Sequence, residues 1–448
     1  MKLKSTKSQN VTVVSLLREH FDRLPLESIV TASRTFPLTS RVDLQSALAQ
    51  IFPGGSDSRV VGIHSQYSHE TVTFPHLTRD GDYPVLVGPL QHEEVDIGEQ
   101  LPARCLKCAL WLAKKKTLPF AVLQTPAERY GRSEGVHIEI AIPPGERGLE
   151  LSNAFLEDVE KRINQSGSYR GKVISLEQGP HYSGTAGEVR VHKLRNVRRE
   201  EVILPDTTLE LLERNVGDFI RHREKLKGLG MPTKKGLLFY GPPGTGKTHT
   251  IHYLASQLPQ HTTLLITSEQ VALLNDYFLL ARFLQPAMVV IEDVDLIARS
   301  REGMRGACEE SLLNKLLNEM DGLREDAAVL FVLTTNRPEQ LEAALASRPG
   351  RVDQAIEFPL PDDEGRRKLA RLYSRGLTVP DELIDVIVQK TRKASAAFIK
   401  ELMRRAAQYQ IQAGTASLCL EHVESALDEM LFRGGSLNVK LLGGAIEP

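Results

Sequence analysis

Gly241-Pro242-Pro243-Gly244-Thr245-Gly246-Lys247-Thr248 is the stretch that decides the fold of this 448-residue chain. It fits G-x-x-x-x-G-K-[ST], with an apolar run before it, Gly236-Leu-Leu-Phe-Tyr240, and a helical segment after it, from about Thr248 to Leu258. Glycines let successive backbone N–H groups turn inward around phosphate oxygens. The helix that follows points its positive end at the anion. In such a loop Lys247 neutralises the β- and γ-phosphates, and the Thr248 hydroxyl ligates Mg²⁺. His249 closes the stretch assigned to nucleotide contact.

Downstream, short apolar runs alternate with helical segments. The runs are Thr263 to Ile266, Met288 to Ile291, Val329 to Leu333 and Ala355 to Phe358. This alternation predicts an α/β P-loop domain, a parallel sheet with helices on both faces. One run ends in acids, Glu292-Asp293-Val-Asp295. Ligands gather at the carboxyl edge of such a sheet, so these acids are expected to face the phosphates. One carboxylate can hold Mg²⁺ while its neighbour orients or deprotonates a water. Upstream, Leu209 to Leu226 reads as one amphipathic helix, and from Pro361 to about Phe432 the pattern is helical throughout.

These residues resemble an AAA+ ATPase of the classical AAA clade over roughly residues 200–430. Besides the phosphate loop, Leu316-Leu-Asn-Glu-Met-Asp-Gly-Leu323 resembles the helix before strand four. Leu333-Thr-Thr-Asn336-Arg-Pro338 resembles the sensor-1 segment, and Arg348-Pro-Gly-Arg351-Val-Asp353 the second region of homology. The resemblance implies a homo-oligomeric ring, expected to be a hexamer, with ATP and Mg²⁺ at subunit interfaces. It implies that Asn336 positions the attacking water and that Arg348 and Arg351 are arginine fingers for a neighbour's γ-phosphate. A guanidinium suits that role because it is planar and permanently charged.

The chain departs from the family pattern in four places. The segment before Arg348, Ala344-Leu-Ala-Ser, is one residue longer than the common pattern, which leaves Arg348 and Arg351 both open as the main finger. The acidic pair runs Glu292-Asp293, the reverse of the usual order, as in the mitochondrial Rieske-protein translocase subgroup. Register therefore assigns Glu292, with Thr248, to the metal and Asp293 to the water. The lid has Ser395-Ala396-Ala397 where the clade shows Ser-Gly-Ala. The segment Ser268 to Pro286 lacks the aromatic–apolar–glycine tripeptide that grips threaded polypeptide in many members. Its aromatic pair, Tyr277-Phe278, has helical spacing with Leu274 and Ala281 and reads as core.

Residues 1–200 read as a mixed α and β domain. Helices are expected at Val11 to Phe21, Val42 to Phe52 and Leu149 to Ile163, with a strand at Val136 to Ile142. Cys105 and Cys108 read as reduced thiols near an apolar helix, Cys105 to Leu112. A C-x-x-C alone lacks the second ligand pair that a structural zinc needs. Gln178 to Gly187 reads as a turn-rich loop near a domain boundary. The domain plan is then 1–200 for client or partner recognition, 201–360 for nucleotide, 361–435 for a helical lid and 436–448 as a tail.

Composition excludes several other classes. Hydrophobic residues make up 41% and charged residues 25%, ordinary for globular chains, so a fibrous or disordered protein is excluded. Residues 1–200 carry 26 basic and 23 acidic side chains, and the remainder 30 and 34. Neither half has the basic excess of a nucleic-acid footprint. Lys114-Lys-Lys116 and Arg195 to Arg199 lack interleaved aromatics for base stacking and read as solvated faces. His69-Glu-Thr-Val-Thr73 and His92-Glu-Glu-Val-Asp96 both miss the second histidine of H-E-x-x-H. With no run of about 18 apolar residues, a cytoplasmic protein is expected. The expected function is an ATP-hydrolysing, ring-forming remodeller of protein clients. The alternative is a scaffold that uses ATP to set its assembly state.

Overall fold

The computed structural model describes residues 11–22, 24–54, 58–65, 70–78, 83–129, 132–178, 186–295, 309–341 and 351–433. The chain divides into two units. One comprises Met1–Tyr169 and Leu176–Val191; the other comprises Arg170–Ser175 and His192–Pro448.

The first unit is built on β1 (Val30–Phe36), β2 (Ser58–His64), β3 (Leu86–Gly88), β6 (Ala109–Lys115), β7 (Leu118–Arg129) and β8 (Arg132–Ile142). They form an antiparallel sheet in the order β1-β8-β7-β6-β2-β3. A separate hairpin joins β4 (His92–Val95) and β5 (Ala103–Leu106). Helix Val13–Phe21 buries Val13, Leu17 and Phe21 in a core with Leu110 and Leu123. Helices Arg41–Ile51 and Glu146–Gln165 accompany an aromatic cluster in which Phe52 stacks on Trp111 at 5.8 Å and meets Phe155 at 6.1 Å.

The expected helix at Cys105 to Leu112 is instead the end of β5, a turn and the start of β6. The run is apolar at almost every position because β6 is buried from Ala109 to Ala113, and such a run carries no period to separate strand from helix. Burial pushes both thiols up to about 11, so neither is a reactive thiolate at neutral pH.

The second unit carries the parallel sheet. Its strands are β11 (Lys235–Tyr240), β12 (Thr262–Ile266), β13 (Ala287–Ile291), β14 (Val329–Thr335) and β15 (Gln354–Glu357). The order is β12-β13-β14-β11-β15, and Val173 and Ile174 of β9 (Val173–Gln178) pair parallel with Thr263 and Leu264 of β12. The first strand of the domain, β11, thus lies between β14 and β15, parallel to both. Strands β13 and β14 are buried at every position, as expected of a sheet covered on both faces.

The segment Leu209 to Leu226 is helical as expected, with one interruption at His222. Asp206–Leu212 is α-helical, Glu213–Asp218 widens into a π turn, and the chain restarts after His222 as Arg223–Gly228. Four helices close the chain's described part: Asp363–Tyr373, Asp381–Lys390, Ala396–Ala413 and Leu420–Asp428. Asp362 and Ser395 cap two of them, and Gly414 ends the third in the left-handed region. Their apolar faces share a core with Leu369, Ile387, Phe398, Leu402 and Val423. The fold is therefore a P-loop α/β domain with a C-terminal helical region and an N-terminal α+β unit.

Candidate functional site

The phosphate loop leaves the carboxyl end of β11 and runs directly into helix Lys247–Gln257. Gly241 has φ 146°, and a Cβ there would lie 2.2 Å from the Phe358 carbonyl oxygen. Gly246, the residue before the helix, has φ 104° in the left-handed region. Both positions need glycine for these reasons. The Thr245 hydroxyl donates to the Pro242 carbonyl at 2.9 Å and closes the loop on itself.

Lys247 turns back into this loop and is only 7% exposed. Its Nζ donates to the carbonyls of Gly241 (2.8 Å) and Pro242 (3.0 Å) and to Asn336 Oδ1 (2.8 Å). Burial pushes its pKa down to about 8, against the pull of Asp293 and Asp295. A cation held this way has a strong electrostatic need for an anion.

The acidic turn sits beside it at the ends of β13 and β14. Thr248 Oγ1 donates to Glu292 Oε1 at 2.7 Å. Asp293 has φ 48°, and its N–H donates to Thr334 Oγ1 at 3.0 Å. Asp293 Oδ1 accepts from Asn336 Nδ2 at 3.0 Å. A continuous chain therefore runs Lys247–Asn336–Asp293. Burial, then Asp295 and Glu292, push the Asp293 carboxyl up, and Lys247 and Asn336 oppose them. Asp295 is 3% exposed and accepts from the Thr335 hydroxyl (2.8 Å) and the Asn336 N–H (3.3 Å). It fixes the strand end from which Asn336 projects.

The two acids thus face different partners. Glu292 pairs with a hydroxyl of the phosphate loop, and the two form a hard oxygen donor set that suits Mg²⁺. Among the described residues no group of three or more His, Cys, Asp or Glu side chains could hold a metal ion alone. A Mg²⁺ ion at Thr248 and Glu292 would therefore complete its shell from phosphates and water, as it commonly does.

A cleft beside the loop was not evident from the sequence. Ile203, Leu204 and Pro205 line it with Thr245 of the loop and Ala396 of the helical region. The Ala397 N–H donates to the Gly244 carbonyl at 3.1 Å. Ile203 to Pro205 belong to no regular element, and the only signal in sequence is their short apolar run after Arg199-Glu-Glu201. Thr334 and Thr335 also acquire roles, as the hydroxyls that meet Asp293 and Asp295.

Other expected site residues lie elsewhere. The His249 ring meets the Glu201 carbonyl, Nε2 to O 3.0 Å. Arg351 lies at the opposite edge of the sheet: its carbonyl would be 2.1 Å from a Cβ on Gly236, at the start of β11. That is about 15 Å of strand away from the phosphate loop. Its guanidinium, 12% exposed, pairs with Asp321. Arg348, the tail and residues 179–185 of the turn-rich loop expected over Gln178 to Gly187 lie outside the described residues, while Gln178 ends β9 and Ala186-Gly187 begin β10 (Ala186–His192). Tyr277 and Phe278 are fully buried, with Phe278 stacked on Phe331 at 5.6 Å, so they are core, as their spacing indicates.

Residues 237–360 match the family described as ATPase family associated with various cellular activities (AAA). The 26S proteasome regulatory subunit 8 homolog of Schizosaccharomyces pombe is 30% identical over 265 residues, which is 53% of this chain and 64% of that protein. Its counterpart in Encephalitozoon cuniculi is 26% identical over 376 residues, 74% of this chain and 94% of that protein. The ATP-dependent zinc metalloprotease FtsH 3 of Synechocystis is 32% identical over 235 residues, 50% of this chain and 38% of that protein. The chain thus spans less than two thirds of the first and third of these relatives.

Proposed function

We propose that this chain, which carries an AAA domain of the AAA+ ATPases over residues 237–360, hydrolyses ATP to remodel protein clients. The observation that carries the reading is the contact chain Lys247–Asn336–Asp293 beside the Thr248–Glu292 pair. Backbone N–H groups of residues 244–248, at the start of helix Lys247–Gln257, hold the phosphates, and Lys247 gives up its carbonyl partners for them. Thr248 and Glu292 would hold Mg²⁺, which neutralises charge on the phosphates.

Asp293, oriented by Asn336, takes the proton of the attacking water. The water oxygen bonds to the γ-phosphorus as the bridging bond to the β-phosphate breaks. The adenosine end lies in the cleft between Ile203–Pro205 and Ala396. Arg351, at the far edge of its own sheet, acts on the site of a neighbouring copy, with Arg348, in a homo-oligomeric ring. The client is engaged by residues 1–200. Among the described residues no helix is long and apolar enough to cross a membrane.

Phosphate release by the purified chain tests this. Lys247→Ala should abolish nucleotide binding. Asp293→Asn should keep binding and lose turnover. Arg351→Ala should lower turnover more than affinity. Phosphate release unchanged in Lys247→Ala would remove the enzymatic reading.

A further inference from the structure

One carboxylate outside the catalytic contacts joins three parts of the second unit. Glu201 is 7% exposed. Its carboxylate accepts from the Arg198 N–H at 3.3 Å and pairs with Arg195 at 3.0 Å. Arg198 and Arg375 lie at 3.8 Å. Arg375 belongs to the helical region, just beyond helix Asp363–Tyr373. The Arg198 N–H, then the surrounding guanidinia, hold the carboxyl below its ordinary range, so it stays charged.

The backbone of the same residue is engaged as well. Its carbonyl accepts from His249 Nε2, on the helix that begins at the phosphate loop. A few residues earlier the Val197 carbonyl accepts from Ser256 Oγ on that helix at 3.2 Å. Two residues later the chain reaches the cleft. There Ile203 packs against the core of the helical region and Leu204 against the core of the sheet. The position of Ile203 and Leu204 therefore depends on how the linker, the phosphate-loop helix and the helical region are held together. Glu201 touches all three.

We propose that Glu201 is a positioning residue for the adenosine half of the nucleotide site. Its carboxylate holds Arg375 to the linker and its carbonyl holds His249, so that Ile203 and Leu204 meet the base at a fixed distance from the phosphate loop. The proposal rests on the nucleotide reading above. It separates the two ends of the ligand: the clasp acts on the adenosine and not on the phosphates, which this chain holds through Lys247 and the backbone N–H groups of residues 244–248.

Calorimetric titration of the full chain with MgATP and with magnesium tripolyphosphate tests it. Glu201→Gln should weaken MgATP binding about two- to fivefold, the scale of losing ion pairs with mostly exposed partners. Tripolyphosphate affinity should not change. Arg375→Gln, on the surface and with no core role, should give the same split, and the double variant should add little. MgATP affinity unchanged in both single variants would overturn the proposal. So would an equal loss for both ligands, which means general damage to the fold. A parent chain that binds neither ligand would instead remove the nucleotide reading, and the clasp with it.

Discussion

Lys247 should make nucleotide binding take up protons in a window that an ordinary lysine would not occupy. In the folded chain its ammonium is buried against two carbonyls and an amide, and its pKa falls from 10.5 to about 8. The difference corresponds to roughly 3 kcal/mol against the charged form. The folded pKa lies below the unfolded one, so between about pH 8 and 10.5 the unfolded chain holds the extra proton. Stability without nucleotide therefore rises with pH across that window, and the full burden is present below it. Phosphates reverse the balance, because an adjacent anion favours the ammonium. At pH 8 about half of the lysines are neutral before binding, so about half a proton should be taken up per nucleotide; at pH 7 it should be about a tenth, and at pH 9 about nine tenths. The nucleotide's own phosphates titrate near pH 6 and contribute little above pH 7.5. Calorimetry at each pH in two buffers of different ionisation enthalpy reads the uptake directly. Lys247→Arg keeps a permanent charge and should lose the uptake wherever it still binds. A flat profile from pH 7 to 9 in the parent chain would refute this reasoning.

Three further outcomes follow from the same geometry. Gly241→Ala places a methyl 2.2 Å from the Phe358 carbonyl, whose own N–H is tied to the Tyr240 carbonyl at 2.8 Å. Neither backbone can give way, so a loss of about 1–3 kcal/mol is expected, and an unchanged melting midpoint would contradict it. Phe278→Ala empties a fully buried ring site stacked on Phe331 and should cost about 3–5 kcal/mol in urea denaturation. A cost below about 1 kcal/mol would argue that the ring is not core. Asp295→Asn replaces the charged acceptor of the Thr335 hydroxyl and the Asn336 N–H. Turnover should fall about tenfold or more while nucleotide Kd holds, and a change in Kd alone would place Asp295 in binding rather than in orienting Asn336.

The parts of the fold whose signal lies within a few neighbouring residues were the legible ones. Strand β14 was recognisable because Val329 to Leu333 is apolar at every position and short, flanked by helical patterns. The phosphate loop was recognisable because its glycines meet a backbone requirement that few other sequences satisfy. Cys105 to Leu112 failed as a helix because continuous apolarity carries no period, and only pairing with β2 and β7 makes it strand. Leu209 to Leu226 has the right period for a helix and is helical, through a π turn at Glu213–Asp218, with one interruption at His222 that no local pattern marks.

What the sequence by itself determined is the chemistry of the phosphate end. Glycine conformation, lysine charge and the order of strand, loop and helix are local properties, and eight consecutive residues carry them. The order of the acids already assigned Glu292 to the metal with Thr248 and Asp293 to the water; the contacts Thr248–Glu292 and Asn336–Asp293 needed β11, β13 and β14 to lie next to one another, because those partners are separated by 44 and 43 positions in the chain. The cleft beside Ile203 and Leu204 is likewise formed by segments remote in sequence, and so is the meeting of Glu201 with Arg375. The depressed pKa of Lys247 has the same origin, since it comes from burial and not from neighbours in sequence. Local steric and charge requirements can be read along a chain, whereas desolvation and the pairing of distant carboxylates exist only once packing has removed water from between them.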